Sequence, residues 1–165
     1  MNVKRIVVGD LQENCYIIEK NNNAIIVDPG DEPEKIEKEL DKLNIVGILL
    51  THNHFDHVGA LSYFENKYNL KHNDEIEHFD YETISTPGHS KDSLCFYFPK
   101  EKIMITGDFL FKGTIGRMDL PGGSILDMKN SLNKISKYPD DIVIYPGHGE
   151  KSTLGSEKKH FNFYI

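Results

Sequence analysis

The stretch Val46-Gly47-Ile48-Leu49-Leu50-Thr51-His52-Asn53-His54-Phe55-Asp56-His57 changes character at Thr51. Its apolar first half predicts a buried strand over 46–50, after which the chain releases His52, His54, Asp56 and His57 in quick succession. Alternate residues of extended backbone point the same way, so His52 and His54 can grip one ion together. Asp56 and His57 fall at the turn into the next helix and aim at a neighbouring position. Three other predicted strands end in the same manner: Ser85-Thr86-Pro87-Gly88-His89, Thr106-Gly107-Asp108 and Tyr145-Pro146-Gly147-His148. Each delivers a His or an Asp just past its carboxyl end, where ligand sites of open α/β sheets collect. Glycine at 88, 107 and 147 allows the sharp turn and close approach that such a convergence needs.

Imidazole and carboxylate donors without thiolate suit Zn²⁺, Fe or Mn, with zinc the first expectation and iron or manganese the alternatives. His52, His54, Asp56, His57, His89, Asp108 and His148 are too many for one tetrahedral ion. They are about right for two divalent ions sharing a carboxylate, an arrangement that makes a strong nucleophile at neutral pH. His72, His78 and His160 lie in polar surroundings and are left out of the set.

The rest of the chain frames this cluster. Strands are predicted at 3–8, 15–18 and 24–27, then a helix over 33–43 with Pro33 in its first turn, and a helix over 58–67. Further strands follow at 81–86, 94–98, 103–106 and 142–145, with a helix near 124–137. No repeat or linker interrupts the pattern, so residues 1–165 are expected to form a single α/β domain. The formal net charge of −7 is spread without a basic patch, which argues against a nucleic-acid partner. No apolar run is long enough for a membrane span or a signal peptide, so a cytoplasmic protein is expected. Cys15 and Cys95 read as small core residues. A centre carrying +4 from two ions, with Asp56, Asp108 and a hydroxide returning −3, stays positive and favours an anionic small-molecule substrate.

The motif His52-x-His54-x-Asp56-His57, with His89, Asp108 and His148, resembles the metallo-β-lactamase superfamily, and within it the small glyoxalase II-like hydrolases. The similarity extends through Gln12-Glu13-Asn14-Cys15-Tyr16, Asp28-Pro29-Gly30, Thr86-Pro87-Gly88-His89, Gly116-Arg117 and Tyr145-Pro146-Gly147-His148-Gly149. It implies an αββα four-layer sandwich with the metals at one edge. It also implies that His52, His54 and His89 hold the first ion, that Asp56, His57 and His148 hold the second, and that Asp108 bridges them. The implied reaction is hydrolysis of a thioester or related ester by a metal-bridging hydroxide. Asp56 and Asp108 are then the catalytic carboxylates, and Arg117 contacts the substrate.

Some positions depart from glyoxalase II. Ser90 replaces a Thr, and Asp119 stands where a Tyr would assist glutathione binding. Only 31 residues separate His57 from His89, so a covering strand or loop is expected to be missing. The chain stops at Ile165, where glyoxalase II continues into a helical domain. These departures argue against glutathione as the thiol carrier. Arg117 has a competing role as the ion-pair partner of Asp119. Asp28 reads either as a turn residue or as a partner that orients a metal histidine.

Two other classes share the scaffold. A persulfide dioxygenase would need one iron on His52, His89 and Asp108. A flavodiiron redox module carries Glu where this chain has His54 and needs a fused flavin domain. A lactamase fits less well, because many of those enzymes have Cys where Asp108 stands.

Overall fold

The computed structural model describes residues 1–164 and divides into two units by its internal contacts, Met1–Phe79 and Asp80 onward. Ile165, the last position of the expected domain 1–165, lies outside the described residues.

The first unit opens with a meander of β1 (Asn2–Val8), β2 (Glu13–Lys20) and β3 (Asn23–Val27), paired antiparallel. A crossover through α1 (Pro33–Glu37) then lays β4 (Asn44–Leu49) parallel to β3, giving the order β1-β2-β3-β4. Helices α2 (Phe55–Val58) and α3 (Leu61–Tyr68) follow. Period-two alternation sends Ile6, Val8, Cys15, Ile17, Ala24, Ile26 and Ile48 to one sheet face, packed with Ile36, Leu61 and Phe64 of the helices. Tyr16, Ile18, Ile25, Val27 and Leu49 occupy the opposite face and are as deeply buried. A sheet apolar on both sides explains why β2 and β3 read as nearly continuous hydrophobic runs.

The second unit is built from β5 (Glu82–Ser85), β6 (Leu94–Phe98) and β7 (Ile103–Gly107), then the short hairpin β8 (Leu110–Phe111) and β9 (Thr114–Ile115). Helix α4 (Ile125–Ile135) leads to β10 (Val143–Pro146), β11 (Ser152–Thr153), α5 (Leu154–Lys158) and α6 (Phe161–Tyr164). The sheet order is β11-β10-β7-β6-β5. Ile84, Cys95, Met104 and Ile144 pack with Met128, Leu132 and Ile135 of α4 and with Leu154 and Phe161. Because β7 and β10 are parallel and β6 is antiparallel to both β5 and β7, the strands β5, β7 and β10 run in one direction. Their carboxyl ends therefore share one edge.

Two predicted helices differ from those observed. The helix over 33–43 stops as an α-helix at Glu37, because Glu39 and Leu40 switch to tighter three-residue bonds, to Ile36 O and Glu37 O. Ile36 and Leu40 remain buried, so the apolar face survives the change. The helix over 58–67 begins earlier, at Phe55, and breaks at Gly59-Ala60. A Cβ at Gly59 would stand 2.2 Å from Gly30 O, and Ala60 N donates to Pro29 O at 2.9 Å. The break is thus set by the Asp28-Pro29-Gly30 loop, far away in sequence. The hairpin β8–β9, strand β11 and helices α5 and α6 are too short for periodicity to reveal. Both cysteines are fully buried, and burial pushes the Cys95 thiol up to about 12 and the Cys15 thiol well above its ordinary value, so neither offers a thiolate.

Candidate metal centre

In the first unit the parallel pair β3–β4 brings Asp28 beside Thr51. Asn73 clamps the exit of β4: Leu50 N donates to Asn73 Oδ1 at 2.9 Å, and Asn73 Nδ2 donates to Leu50 O at 3.1 Å. Asp28 adopts a left-handed conformation, φ 48°, which Asp tolerates better than most residues and which marks a constrained position. It accepts from Thr51 N at 2.7 Å, from Thr51 Oγ1 at 2.6 Å and from His57 Nδ1 at 2.8 Å. The Thr51 hydroxyl, having given its proton to Asp28, accepts from His52 Nδ1 at 3.0 Å. One buried carboxylate therefore fixes two imidazoles as Nδ1–H tautomers with the lone pair on Nε2, the state a metal ligand needs. His52 is also within 4.6 Å of His54 and 4.2 Å of His57, ring centre to ring centre. His57 Nε2 lies 3.5 Å from Asp56 Oδ2.

In the second unit the shared edge of β5, β7 and β10 brings His89, Asp108 and His148 together. Asp108 Oδ2 lies 3.6 Å from His89 Nε2 and 3.5 Å from His148 Nε2. His89 Nδ1 donates to the Arg117 carbonyl at 2.8 Å, so its lone pair also resides on Nε2. Gly116 makes that approach possible, since a Cβ there would stand 1.7 Å from Asp108 O and 3.1 Å from the His89 Cβ. Gly88 is held against α4, where Ser124 N donates to Gly88 O at 2.9 Å and Ser131 Oγ donates to Pro87 O at 2.6 Å. The buried Glu157 accepts from Gly113 N at 2.8 Å and so fixes the β8–β9 hairpin, whose Phe111 ring stands 6.1 Å from that of His148.

The donor spacings fit metal ligation better than direct hydrogen bonding. Pairs at 3.5–3.6 Å exceed a normal N–H···O contact. Two ligands held at about 2.0–2.1 Å from one tetrahedral ion lie roughly 3.3–3.4 Å apart. Neutral imidazoles with their lone pairs at Nε2, together with carboxylates, form the donor set that borderline divalent cations prefer.

His52, His54, Asp56, His57, His89, Asp108 and His148 are the candidate ligands read from the sequence, and Asp28 makes the orienting contact that the sequence suggests. The sequence reading assigns no role to Thr51, to the Arg117 carbonyl or to Glu13, a further buried carboxylate whose Oε1 lies 3.5 Å from His57 Nδ1. A main-chain acceptor leaves no mark in sequence. A Glu among the apolar residues of a buried strand does, and that was the signal to follow. The Arg117 side chain makes a bidentate pair with Asp119, at 2.7 and 2.8 Å, on an exposed surface. The guanidinium holds the Asp119 carboxyl down at about 2.

The profile of the metallo-beta-lactamase superfamily matches residues 8–73 and 71–148. The chain belongs to that superfamily. Its fold is the metallo-β-lactamase fold: the structure of the B3 metallo-beta-lactamase BLEG-1 superposes with a TM-score of 0.92 at 30% identity, covering 98% of this chain and 99% of that one. The structure of TTHA1623 in a di-iron-bound form superposes with a TM-score of 0.84 at 31% identity, covering 94% and 96%. The hydroxyacylglutathione hydrolase GloC of Haemophilus influenzae is 30% identical, over 96% of each chain. That alignment runs over 203 positions, longer than this superfamily member itself, so GloC carries segments that this chain lacks. The profile match breaks and resumes at residues 71–73, within the short span between His57 and His89. Among the described residues no helix is long and apolar enough to cross a membrane.

Proposed function

We propose that this chain is a dinuclear metal-dependent hydrolase of thioesters or related esters, with residues 1–165 acting as one catalytic domain. His52, His54 and His89 would hold the first ion, Asp56, His57 and His148 would hold the second, and Asp108 would serve both. The observation that carries this reading is the position of Asp108 Oδ2, 3.6 Å from His89 Nε2 and 3.5 Å from His148 Nε2, imidazoles assigned to different ions. The di-iron form of TTHA1623 and the name of GloC support it. Zinc is the expected metal, with iron or manganese as alternatives.

Two divalent cations, when bound, supply a nucleophilic hydroxide at neutral pH and a Lewis acid for the substrate carbonyl. The chain's own residues do the rest. Asp28 and the Arg117 carbonyl hold the imidazoles of His52, His57 and His89 in the ligating tautomer. Asp56, half-buried beside His57, would orient the hydroxide and offer a carboxylate able to take up a proton. The Gly116 backbone, packed on Asp108 O, keeps the bridging carboxylate in place. Glutathione returns as a candidate carrier, because GloC bears a hydroxyacylglutathione name and is matched over 96% of its own length. The test offers lactoyl, acetyl and glutathione-borne thioesters to the metal-loaded protein and follows thiol release with a thiol-reactive dye. Chelator-sensitive release is expected, and inertness toward the whole panel would refute the reading.

Arg117 is assigned to a remote anionic group of the substrate. Its pair with Asp119 is exposed and solvent-screened, so a substrate carboxylate can exchange for Asp119 at small cost. Arg117→Ala should raise KM for carboxylate-bearing thioesters roughly ten-fold and leave neutral ones nearly unchanged. Equal losses on both would make the pair purely structural.

A further inference from the structure

We propose that Glu13 is a positioning residue of the second metal subsite, placing a second buried negative charge beside Asp28 behind His57. This rests on the dinuclear reading above. Glu13 opens β2 and is 1% exposed. Its Oε1 lies 3.5 Å from His57 Nδ1, the same nitrogen that donates to Asp28 Oδ2 at 2.8 Å. Glu13, Asp28 and His57 offer ligand-type atoms that all lie within 4.8 Å of one another. The other Glu13 oxygen, Oε2, sits under Gly30, where a Cβ would stand 2.5 Å from it and 2.0 Å from the Asp56 carbonyl oxygen. Gly30 therefore stands against both Glu13 and the Asp56 carbonyl, and the approach of that carbonyl requires Gly at residue 30.

A carboxylate is a costly group to bury, and a purely space-filling role needs no charge. Asp28 alone already meets the Nδ1–H of His57. Both carboxylates act on the same imidazole nitrogen, so the field at the ring's other nitrogen, Nε2, favours a cation there. In a low-dielectric interior the second carboxylate strengthens that hold.

The experiment uses the full chain, with Zn²⁺ alone as probe. Competition with a chelator reads each binding step, and thermal melts are taken with and without metal. In Glu13→Gln the first ion should bind as in the wild type and the second about 10–100-fold more weakly. The metal-free variant should melt no lower than the metal-free wild type. Glu13→Asp, which keeps the charge on a shorter arm, should restore much of the lost affinity. The proposal is overturned if Glu13→Gln binds the second ion as tightly as the wild type does. It is overturned equally if Glu13→Gln melts lower by the same amount with and without metal, or if Glu13→Asp is as weak as Glu13→Gln. A wild type that binds only one ion would instead refute the dinuclear reading.

Discussion

Asp108→Ala should lose both metal ions and lower hydrolysis by on the order of a thousand-fold or more. The expectation follows from a single oxygen. Asp108 Oδ2 is 3.6 Å from His89 Nε2 and 3.5 Å from His148 Nε2, so on the proposed dinuclear reading its removal would take one ligand from each subsite at once. On the same reading Asp56→Ala would remove a ligand beside His57 alone and should mainly weaken the second ion. Elemental analysis of the two variants and the wild type separates the cases. The fold should survive both changes. Asp108 projects from a turn held by Phe109 N to Thr106 O at 3.1 Å and by Gly147 N to Gly107 O at 2.8 Å, bonds that do not involve its side chain. One ion per wild-type chain, unchanged by Asp56→Ala, would count decisively against a shared carboxylate.

What sequence could and could not reveal follows the range of the interactions concerned. The four strand exits were legible because each couples a local apolar run to a polar residue two or three positions on. The topology makes three of them converge: β5, β7 and β10 run the same way, so residues 89, 108 and 148 leave at one edge. The helix break at Gly59 was not legible, because its cause is the carbonyl of Gly30 and the bond to Pro29 O. The residue at 59 looks like an ordinary glycine until the loop lies against it. Arg117 illustrates the same limit at the site. Its guanidinium reads from sequence as a substrate contact, yet the contact Arg117 makes with a candidate ligand is through its carbonyl, which fixes the His89 tautomer. Asp28 lay between, since a carboxylate at a strand end before Pro-Gly suggests either a turn or an orienting partner. Only the parallel register of β3 and β4 places it against Thr51 and His57.

Zinc alone should support turnover without oxygen. Attack of hydroxide on a carbonyl moves no electrons to or from the metal, so a redox-inert ion suffices. A persulfide dioxygenase on the same scaffold must reduce O₂ at iron, and it would need only His52, His89 and Asp108. Metal-free protein reloaded with Zn²⁺ under anaerobic conditions should therefore cleave a lactoyl or acetyl thioester, and chelator should abolish the release of thiol. The competing reading expects no activity with zinc and O₂ uptake with glutathione persulfide after iron loading. What tips the expectation toward hydrolysis is the condition of the residues that a single iron would not use. His57 is fully buried, its Nδ1 is committed to Asp28 at 2.8 Å, and its Nε2 stands 3.5 Å from Asp56. His148 stands 3.5 Å from the same Asp108 oxygen that faces His89. A mononuclear enzyme has no need to orient a buried imidazole so closely. If the zinc form is inert to every thioester while the iron form consumes O₂, the ligand set contracts to His52, His89 and Asp108, and the hydrolase assignment fails with it.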